Sequence, residues 1–214
     1  MEKERRPWIT AIAQQQIDSR VMATNQAIVD VMATLPGKHV LDVGCGEGWL
    51  AQALANAGYQ VLGIDASEPL IAQANQRQCA TFTVMAYEDI SRQNIINTFD
   101  SAVCNFSLIG KDSVEQLFST LPTLLNDNAH FVVQTLHPHY ACTDHPYQDG
   151  WRQGSWQGFH NDFTDPAPWY FRTVPSWLRL FTDNGFAIKQ VQEPRHPVTG
   201  KIASLIIVGE LRRK

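Results

Sequence analysis

The chain has few charged residues and no excess of positive charge. Of its 214 residues, 18% are charged, and the formal net charge is −4. A protein that grips nucleic acid through its phosphates usually carries a basic face. The only basic clusters lie near the two ends of the chain, within residues 3–6 and 212–214, where we expect solvated tails. We therefore do not expect nucleic acid as a partner.

Long apolar runs and paired cysteines are also missing. No run is long enough to span a bilayer, and the charged start of the chain is not followed by the apolar segment of a secretory signal. The four cysteines are scattered without a C-x-x-C pair, which predicts reduced thiols and no disulfide framework. We expect a cytoplasmic protein with no membrane partner, and its oligomeric state stays open.

Short apolar runs alternate with helical segments through most of the chain. Residues 1–36 predict an N-terminal helical segment, which ends at Pro36 and Gly37. Beyond it, runs rich in Val, Ile and Phe alternate with helices, as in the βαβ units of a buried parallel sheet. The strands predicted in this region cover residues 39–43, 60–64, 81–85, 101–105 and 130–136.

The alternation breaks after the fifth strand. Residues 137–173 are rich in Pro, Gly, Trp, Tyr, Asp and His, and so long a loop predicts a functional insertion. The whole pattern predicts an α/β fold over residues 37–214, with a doubly wound, seven-stranded, mostly parallel sheet, the last strand antiparallel and a cap inserted after strand five. The elements predicted beyond the cap are a helix over residues 176–184, between Pro175 and Gly185, and antiparallel strands over residues 186–192 and 204–210.

A glycine-rich turn follows the first predicted strand. Gly44, Gly46 and Gly48 stand there because a Cβ would hinder both the tight turn and the close approach of a ligand. Trp49 takes the place of the third glycine of the dinucleotide-binding fingerprint G-x-G-x-x-G. Its bulk opposes the close packing of helix on strand in that fingerprint, which argues against NAD and FAD. Further on, Asp65 closes the second strand, where an acid can accept hydrogen bonds from ribose hydroxyls.

Two segments resemble the class I S-adenosylmethionine-dependent methyltransferases. Residues 42–48, which read Asp-Val-Gly-Cys-Gly-Glu-Gly, look like motif I of that family, and residues 61–65 resemble motif II. The resemblance implies a Rossmann-like methyltransferase fold, with S-adenosylmethionine as cofactor and S-adenosylhomocysteine as product. It implies that the backbone of residues 44–48 lies against the methionine part of the cofactor and that Asp65 binds the ribose. We expect the N-terminal segment to pack on this site or to cover it.

The resemblance leaves adenine recognition open. The family often has an acid after the third strand, but that position is Ala86 here, and Glu88 or the backbone near Tyr87 are the alternatives. Residues 100–106 resemble motif IV, beside the methyl group, and they are not of the N-P-P-Y type. The cofactor-binding residues predicted in this way are Asp42, Gly44, Cys45, Gly46, Gly48, Asp65, Ala66, Ala86, Tyr87, Glu88, Asn105 and Phe106.

We expect the acceptor side of the site in the inserted cap. Ligands of open α/β sheets lie beyond the carboxyl ends of the strands, and His137 follows strand five, so it is the candidate catalytic base. The alternative is a histidine that only hydrogen-bonds the loop. Aromatic and arginine side chains predict a mobile lid that excludes water and holds an acidic acceptor, the alternative being a small hydrophobic core. The predicted acceptor-binding residues are His139, Tyr147, Trp151, Arg152, Trp169, Tyr170 and Arg172.

The sequence predicts an enzyme that transfers a methyl group in line to a small-molecule acceptor. A metal site is not expected, because the spacing of His137, His139, Cys142 and His145 matches no closed zinc pattern. Two alternatives stay open: a nucleic-acid (RNA) methyltransferase, and a non-catalytic cofactor-binding module of the same fold. The acceptor, and the choice among O-, N- and C-methylation, are not determined.

Overall fold

A computed structural model describes residues 23–142, 145–154 and 167–213. Its main sheet has seven strands in the order β3-β2-β1-β4-β5-β9-β8. The first five strands are parallel, and β9 runs antiparallel to both of its neighbours. The strands of the main sheet are β1 His39–Val43, β2 Gln60–Asp65, β3 Thr81–Val84, β4 Phe99–Asn105, β5 Leu125–Thr135, β8 Phe186–Gln192 and β9 Leu205–Leu211. This arrangement confirms the predicted fold class.

Helices cover both faces of the sheet. Along each central strand, neighbouring side chains point to opposite faces, so Val40, Val103 and Val132 pack under α1, α2 and α3. Leu41, Phe131 and their neighbours pack under α4 and α6. The helices are α1 Asn25–Ala33, α2 Trp49–Asn56, α3 Glu68–Gln76, α4 Asp112–Leu124, α5 Pro138–Ala141 and α6 Val174–Asp183.

The predicted elements match the observed ones closely, with three differences. Strand β4 begins at Phe99 and β5 at Leu125, both earlier than predicted, and the register between the two strands shifts between Phe99 and Ser101. The second difference is α5, which the sequence did not predict. The third is a two-stranded ribbon, β6 Gly150–Arg152 and β7 Trp169–Phe171, inside the cap. Strands of three residues carry too little periodicity to be recognised in a sequence.

The ribbon is fastened to the sheet just beyond the end of β4. The Tyr170 amide donates to the Ile109 carbonyl at 2.8 Å, and Thr173 N–H donates to the Asp149 carboxylate at 2.8 Å. Thr173 also caps α6, because its hydroxyl accepts from the Ser176 amide. The described parts of the cap therefore lie at the carboxyl edge of the sheet, where ligands of open α/β folds bind. Residues 155–166 of the predicted lid, and residues 1–22 of the predicted N-terminal segment, lie outside the described residues.

No helix among the described residues is long and apolar enough to cross a membrane. Within the same residues, no group of His, Cys, Asp and Glu side chains is arranged to hold a metal ion.

Candidate functional site

The three glycines after β1 serve different purposes. Gly44, Gly46 and Gly48 all have positive φ, at 75°, 57° and 81°. A Cβ on Gly44 would meet the Ser107 side chain at 2.3 Å, and one on Gly48 would meet the Phe82 ring at 2.8 Å. A Cβ on Gly46 would meet nothing within 4 Å. Packing therefore requires the first and the third glycine, whereas Gly46 presents bare backbone to open space.

Four of the amides of this loop are already used inside the protein. Gly44 and Cys45 N–H donate to the Ile64 carbonyl, Gly48 N–H donates to the Cys45 carbonyl, and Gly46 N–H donates to Asp65 Oδ2 at 3.0 Å. Loops that bind dinucleotide phosphates present such amides to the anion. These four amides are not available for an anion, which agrees with the argument against NAD and FAD from the glycine spacing. The Cys45 side chain packs inward in the core beneath α2, so its contribution to a ligand site is limited to its backbone.

Asp42 lies under the loop with an unpaired carboxylate oxygen. Its side chain is buried, and Oδ2 has no hydrogen-bond partner in the part of the chain that the structure describes. Burial, reinforced by the negative charges of Asp65 and Glu47, raises its pKa to about 8. A buried acid beside two further carboxylates is stabilised in its charged form by a nearby cation. The electrostatics of this pocket wall therefore favour a cationic ligand and oppose a phosphate.

Asp65, at the end of β2, braces the same loop. Its Oδ2 accepts from Gly46 N–H, and its Oδ1 accepts from Ser67 N–H at 2.8 Å. A carboxylate offers about four lone-pair sites, so each oxygen keeps one for another donor. Asp65 is partly exposed, and the following Ala66 is exposed. This placement suits an acid that binds two vicinal hydroxyls.

The residues after β3 divide between packing and exposure. The Tyr87 hydroxyl donates to the Ser107 carbonyl at 3.0 Å and lies behind Gly44, and burial raises its pKa well above the usual value. Tyr87 therefore supports the glycine loop from behind. Ala86 is partly exposed, and Glu88 is exposed with its carbonyl accepting from the Gln116 amide.

The end of β4 carries an unusual backbone conformation. Phe106 has a φ of 54°, a left-handed value that costs a bulky residue about 1–3 kcal/mol and is concentrated at functional sites. Its amide donates to the Gln134 carbonyl of β5 at 2.8 Å, which holds the bend. The next residue, Ser107, donates its hydroxyl to the Val43 carbonyl at 2.8 Å and so joins this bend to the glycine loop. Ser107 was not among the predicted site residues, because a single serine carries no pattern.

A row of polar side chains crosses the carboxyl edge of the sheet on the α1 face. Asp42, Asn105 and Gln134 each stand two residues beyond a core valine of that face, and Asn105 pairs in register with Gln134. Gln134 is held by bonds from Nε2 to the Thr24 carbonyl at 3.2 Å and to Ser204 Oγ at 2.9 Å. The side-chain carbonyl oxygens of Asn105 and Gln134 are buried without a partner among the described residues. Gln134 was not among the predicted site residues, yet it ties the start of α1 to this edge.

His137 stands directly after β5, as predicted, and has an acidic partner. Its Nε2 lies 2.9 Å from Glu193 Oε1, on the link between β8 and β9. The ring is 8% exposed, and Nδ1 is buried with no partner among the described residues. Glu193 was not recognised in the sequence, because it lies 56 residues away along the chain. Cys142, considered with His137 for a metal site, instead directs its thiol to the His139 carbonyl at 3.1 Å.

The two predicted acceptor-binding arginines are engaged within the protein. Arg172 is 4% exposed and donates to the carbonyls of Gly110 at 2.9 Å and Lys111 at 3.0 Å, with Glu115 at 3.8 Å. Arg152 donates to the carbonyls of Pro146 and Gln148. Guanidinium groups bound in this way fasten the cap to the loop after β4 and to itself. This placement argues against the predicted role of both side chains in binding an acidic acceptor.

The described aromatic residues of the cap form a packed cluster. Tyr147 meets the Phe171 ring edge-on at 5.9 Å, and its hydroxyl accepts from the Val174 amide at 2.8 Å. The rings of Trp169 and Phe171 also meet edge-on, at 5.9 Å. Trp151 packs on Tyr170 yet remains 58% exposed, and His139 is exposed against Tyr147. For the described part of the cap, the small-core alternative fits these contacts better than a loose lid.

Known proteins that resemble this chain also indicate a methyltransferase. A protein family described as "Methyltransferase domain" matches residues 16–191, which is more than half of the chain. The chain belongs to this family. The matched region contains the glycine loop, Asp65, the bend after β4 and His137. Glu193 and Ser204, which contact the site from beyond residue 191, lie outside it.

The methyltransferase-family chain is also similar to curated relatives over part of its length. It is 30% identical over 109 residues to the ubiquinone biosynthesis O-methyltransferase of Ralstonia nicotianae, covering 49% of this chain and 46% of the relative. It is 39% identical over 82 residues to the protein of the same name from Coxiella burnetii, covering 34% of this chain and 35% of the relative. The chain therefore spans less than half of the length of these relatives.

Solved structures share the fold at low sequence identity. An S-adenosylmethionine-dependent methyltransferase from Mesorhizobium loti superposes with a TM-score of 0.65 at 24% identity, covering 85% of this chain and 95% of that one. Magnesium protoporphyrin IX methyltransferase from Synechocystis PCC 6803 superposes with a TM-score of 0.61 at 20% identity, covering 94% and 84%. At these identities the likeness establishes the fold of this methyltransferase-family chain and nothing finer.

Proposed function

We propose that the chain is an S-adenosylmethionine-dependent methyltransferase that acts on a small-molecule acceptor in the cytoplasm. The observation that carries this proposal is the glycine loop, in which Gly46 is open to a ligand while the loop amides described above are bonded internally. With Asp42, Glu47 and Asp65 beside it, the loop suits a ligand that carries positive charge and no phosphate. S-adenosylmethionine carries a sulfonium and an ammonium and has no phosphate, so it meets both conditions, and its ribose offers the vicinal hydroxyls that suit Asp65.

Each proposed cofactor contact follows from a described position. The bare backbone at Gly46 would lie against the amino-acid part of the cofactor, and Asp42 would supply the compensating negative charge. Asp65 would receive the ribose hydroxyls on its remaining lone pairs. The backbone around Ala86 and the exposed Glu88 would border the adenine, and Asn105 with Phe106 would border the methyl group. Ala66 would lie beside the ribose, while Gly44, Cys45, Gly48 and Tyr87 would act by shaping the loop.

The chemistry needs alignment more than special side chains. When bound, S-adenosylmethionine supplies an electrophilic methyl group and leaves as a neutral thioether. The protein would position the acceptor beyond β4 and β5, and the cap would exclude water, which strengthens electrostatic contacts inside the site. The start of α1, tied to Gln134 through the Thr24 carbonyl, supports our expectation that the N-terminal segment packs on this site.

The relatives suggest the kind of acceptor. Two proteins named ubiquinone biosynthesis O-methyltransferase match part of the chain, which supports O-methylation of a small hydroxylated compound. Exposed His139 and Trp151, with Tyr147, Trp169 and Tyr170 behind them, would form the wall that the acceptor meets. Neither an RNA acceptor nor a non-catalytic role has an observation in its favour.

Calorimetry with a matched pair of glycine variants tests donor binding. Gly58 has a φ of 84° and, like Gly46, meets nothing within 4 Å of an added Cβ, but it precedes β2 at the opposite edge of the sheet. Asn tolerates left-handed backbone better than other residues, so Gly46→Asn and Gly58→Asn should have similar stability. We expect Gly46→Asn to weaken S-adenosylmethionine binding at least tenfold and Gly58→Asn to leave it unchanged. Absence of donor binding by the unmodified protein, or equal affinities of the two variants, would refute the proposal.

A screen with labelled donor and a metabolite library tests turnover. Transfer to a small hydroxylated compound is the expected result. Donor binding without transfer to any compound would favour the non-catalytic module.

A further inference from the structure

His137 and Glu193 form an ionisable pair that joins the end of β5 to the link between β8 and β9. Among the described residues, no other pair of ionisable side chains joins these two segments. The two atoms lie 2.9 Å apart, with the imidazole buried and the carboxylate 45% exposed on its side-chain surface. A carboxylate accepts hydrogen bonds and cannot donate one while ionised. Nε2 of His137 must therefore carry the hydrogen in this contact, in the neutral ring as well as in the charged one.

This contact determines which nitrogen can act as a base. A neutral imidazole has one N–H donor and one bare nitrogen, so a hydrogen on Nε2 leaves the lone pair on Nδ1. In the structure, Nδ1 is buried and has no partner among the described residues. Its backbone position is equally defined, because His137 is the N-cap residue of α5 and its carbonyl accepts from the Tyr140 and Ala141 amides.

We propose that Glu193 is a positioning residue that holds His137 in the tautomer with a bare Nδ1, and that Nδ1 removes the hydroxyl proton of the methyl acceptor. The inference deepens the proposed function and rests on it. It assigns the acceptor to compounds whose attacking atom is a hydroxyl oxygen with an ionisable proton, such as phenols and catechols. In this arrangement the histidine is the base and the carboxylate orients it.

The transfer balances in atoms and electrons. The acceptor O–H proton moves to His137 Nδ1 while the oxygen forms a bond to the methyl carbon. The bond from that carbon to sulfur breaks, and its electron pair stays on sulfur, which becomes a neutral thioether. The resulting imidazolium donates from Nε2 to Glu193, whose negative charge stabilises it. After the methylated product leaves, Nδ1 gives this proton to water that enters the site, which restores the neutral ring with its hydrogen on Nε2.

The other charged and titratable groups around the pair are few. Arg195 reaches Glu193 Oε2 at 4.0 Å and is exposed, so solvent screens it. The Tyr140 ring lies 5.4 Å from the His137 ring, and the exposed His139 lies beyond Tyr140. Among the described residues, Glu193 is therefore the group that directs the tautomer.

Nitrogen NMR of the imidazole tests the tautomer without any acceptor. In ¹⁵N-histidine-labelled protein, the His137 signals are assigned by their loss in His137→Gln, and spectra are recorded at a pH where the ring is neutral. We expect Nε2 to be protonated and Nδ1 bare in the unmodified protein and in Glu193→Asp. Glu193→Gln should move the hydrogen toward Nδ1, because an amide N–H₂ can donate to Nε2. Arg195→Gln, the matched neighbour, should change nothing.

Activity provides the second readout. With catechol and substituted phenols as probe acceptors, we expect Glu193→Gln to lower kcat about 100-fold while KM and donor affinity stay near their original values. Glu193→Asp should restore most of kcat. A bare Nε2 in the unmodified protein, or transfer only to atoms that carry no proton, would overturn the inference. Loss of donor binding would be seen by calorimetry in the unmodified protein, so failure of the proposed function is distinguishable.

Discussion

Replacing Asp42, the buried acid beneath the glycine loop, by the neutral asparagine should make the ligand-free protein more stable. Asp42 has a pKa of about 8 in the folded protein, against 3.8 for the unperturbed group, because burial and the charges of Asp65 and Glu47 oppose its ionisation. Between these two values the folded chain binds one more proton than the unfolded chain. Stability must therefore fall as pH rises through this window. Asp42→Asn keeps the shape of the side chain and removes the titration.

The size of the effect follows from the shift. One pKa unit corresponds to about 1.4 kcal/mol, so the contribution of Asp42 falls by about 1.4 kcal/mol for each pH unit inside the window. Between pH 5 and pH 8, the free energy of unfolding of the original protein should drop by about 4 kcal/mol relative to Asp42→Asn. Above pH 8, where Asp42 is ionised in both states, the difference should level off. Below pH 4 it should also level off, because the acid is then neutral in both states.

Urea unfolding of the two proteins from pH 5 to pH 9 measures this difference directly, because groups common to both largely cancel. The same variant should lose donor affinity, and S-adenosylmethionine should be affected more than S-adenosylhomocysteine, since only the former carries the sulfonium charge. A difference in unfolding free energy that stays constant over the pH range would refute the raised pKa. Equal losses for the two ligands would show that Asp42 balances only the ammonium, which both carry, and would refute its role in balancing the sulfonium.

Two further substitutions separate binding from architecture. Asp65→Asn keeps one acceptor oxygen but loses the charge, so we expect about a tenfold or greater loss of S-adenosylmethionine affinity by calorimetry, since a charge-assisted hydrogen bond contributes about 1.5–3 kcal/mol; an unchanged dissociation constant would contradict the ribose contact. Arg172→Gln should lower the free energy of unfolding by roughly 2–4 kcal/mol, because the carbonyls of Gly110 and Lys111 lose a charged donor, while donor affinity stays the same. If stability were unchanged and only acceptor KM rose, Arg172 would be a ligand of the acceptor after all.

The sheet and the turn that follows its first strand were predictable because their signals are local. Buried parallel strands are apolar on both faces, so β1 could be delimited to the residue from the sequence. The antiparallel edge strand β8 was also delimited to the residue, because it begins directly after the helix-ending Gly185. The glycine loop and Asp65 follow strand ends, where backbone conformation and ligand approach restrict the choice of residue. Even there, the sequence does not distinguish the three glycines from one another. The structure shows that a Cβ on Gly44 would collide with Ser107 and one on Gly48 with Phe82.

The acceptor side was not predictable in the same way because it depends on contacts between distant segments. Glu193 reaches His137 across 56 residues, and Gln134 reaches Thr24 across 110 residues. Composition marked the cap as a special segment, but it could not tell that Arg172 donates to the carbonyls of Gly110 and Lys111 in the loop after β4. An arginine that fastens a loop and an arginine that binds a ligand look the same in a sequence, and only the hydrogen-bond partners of the guanidinium distinguish them.

The donor side and the acceptor side of the proposed site differ in charge: the donor side has carboxylates, and the acceptor side has a histidine that can become positive. On the donor side, Asp42 and Asp65 place carboxyl groups where a sulfonium would bind, and the raised pKa of Asp42 records the energetic cost of a negative charge there in the free protein. Methyl transfer removes the positive charge from sulfur, so the product is held less strongly than the donor by the same carboxylates. On the acceptor side, the proposed pair of His137 and Glu193 would gain a positive charge on the imidazole as the sulfonium loses its own. Net charge within the site is then conserved through the transfer, and the low-dielectric interior does not have to accommodate an uncompensated charge at any step.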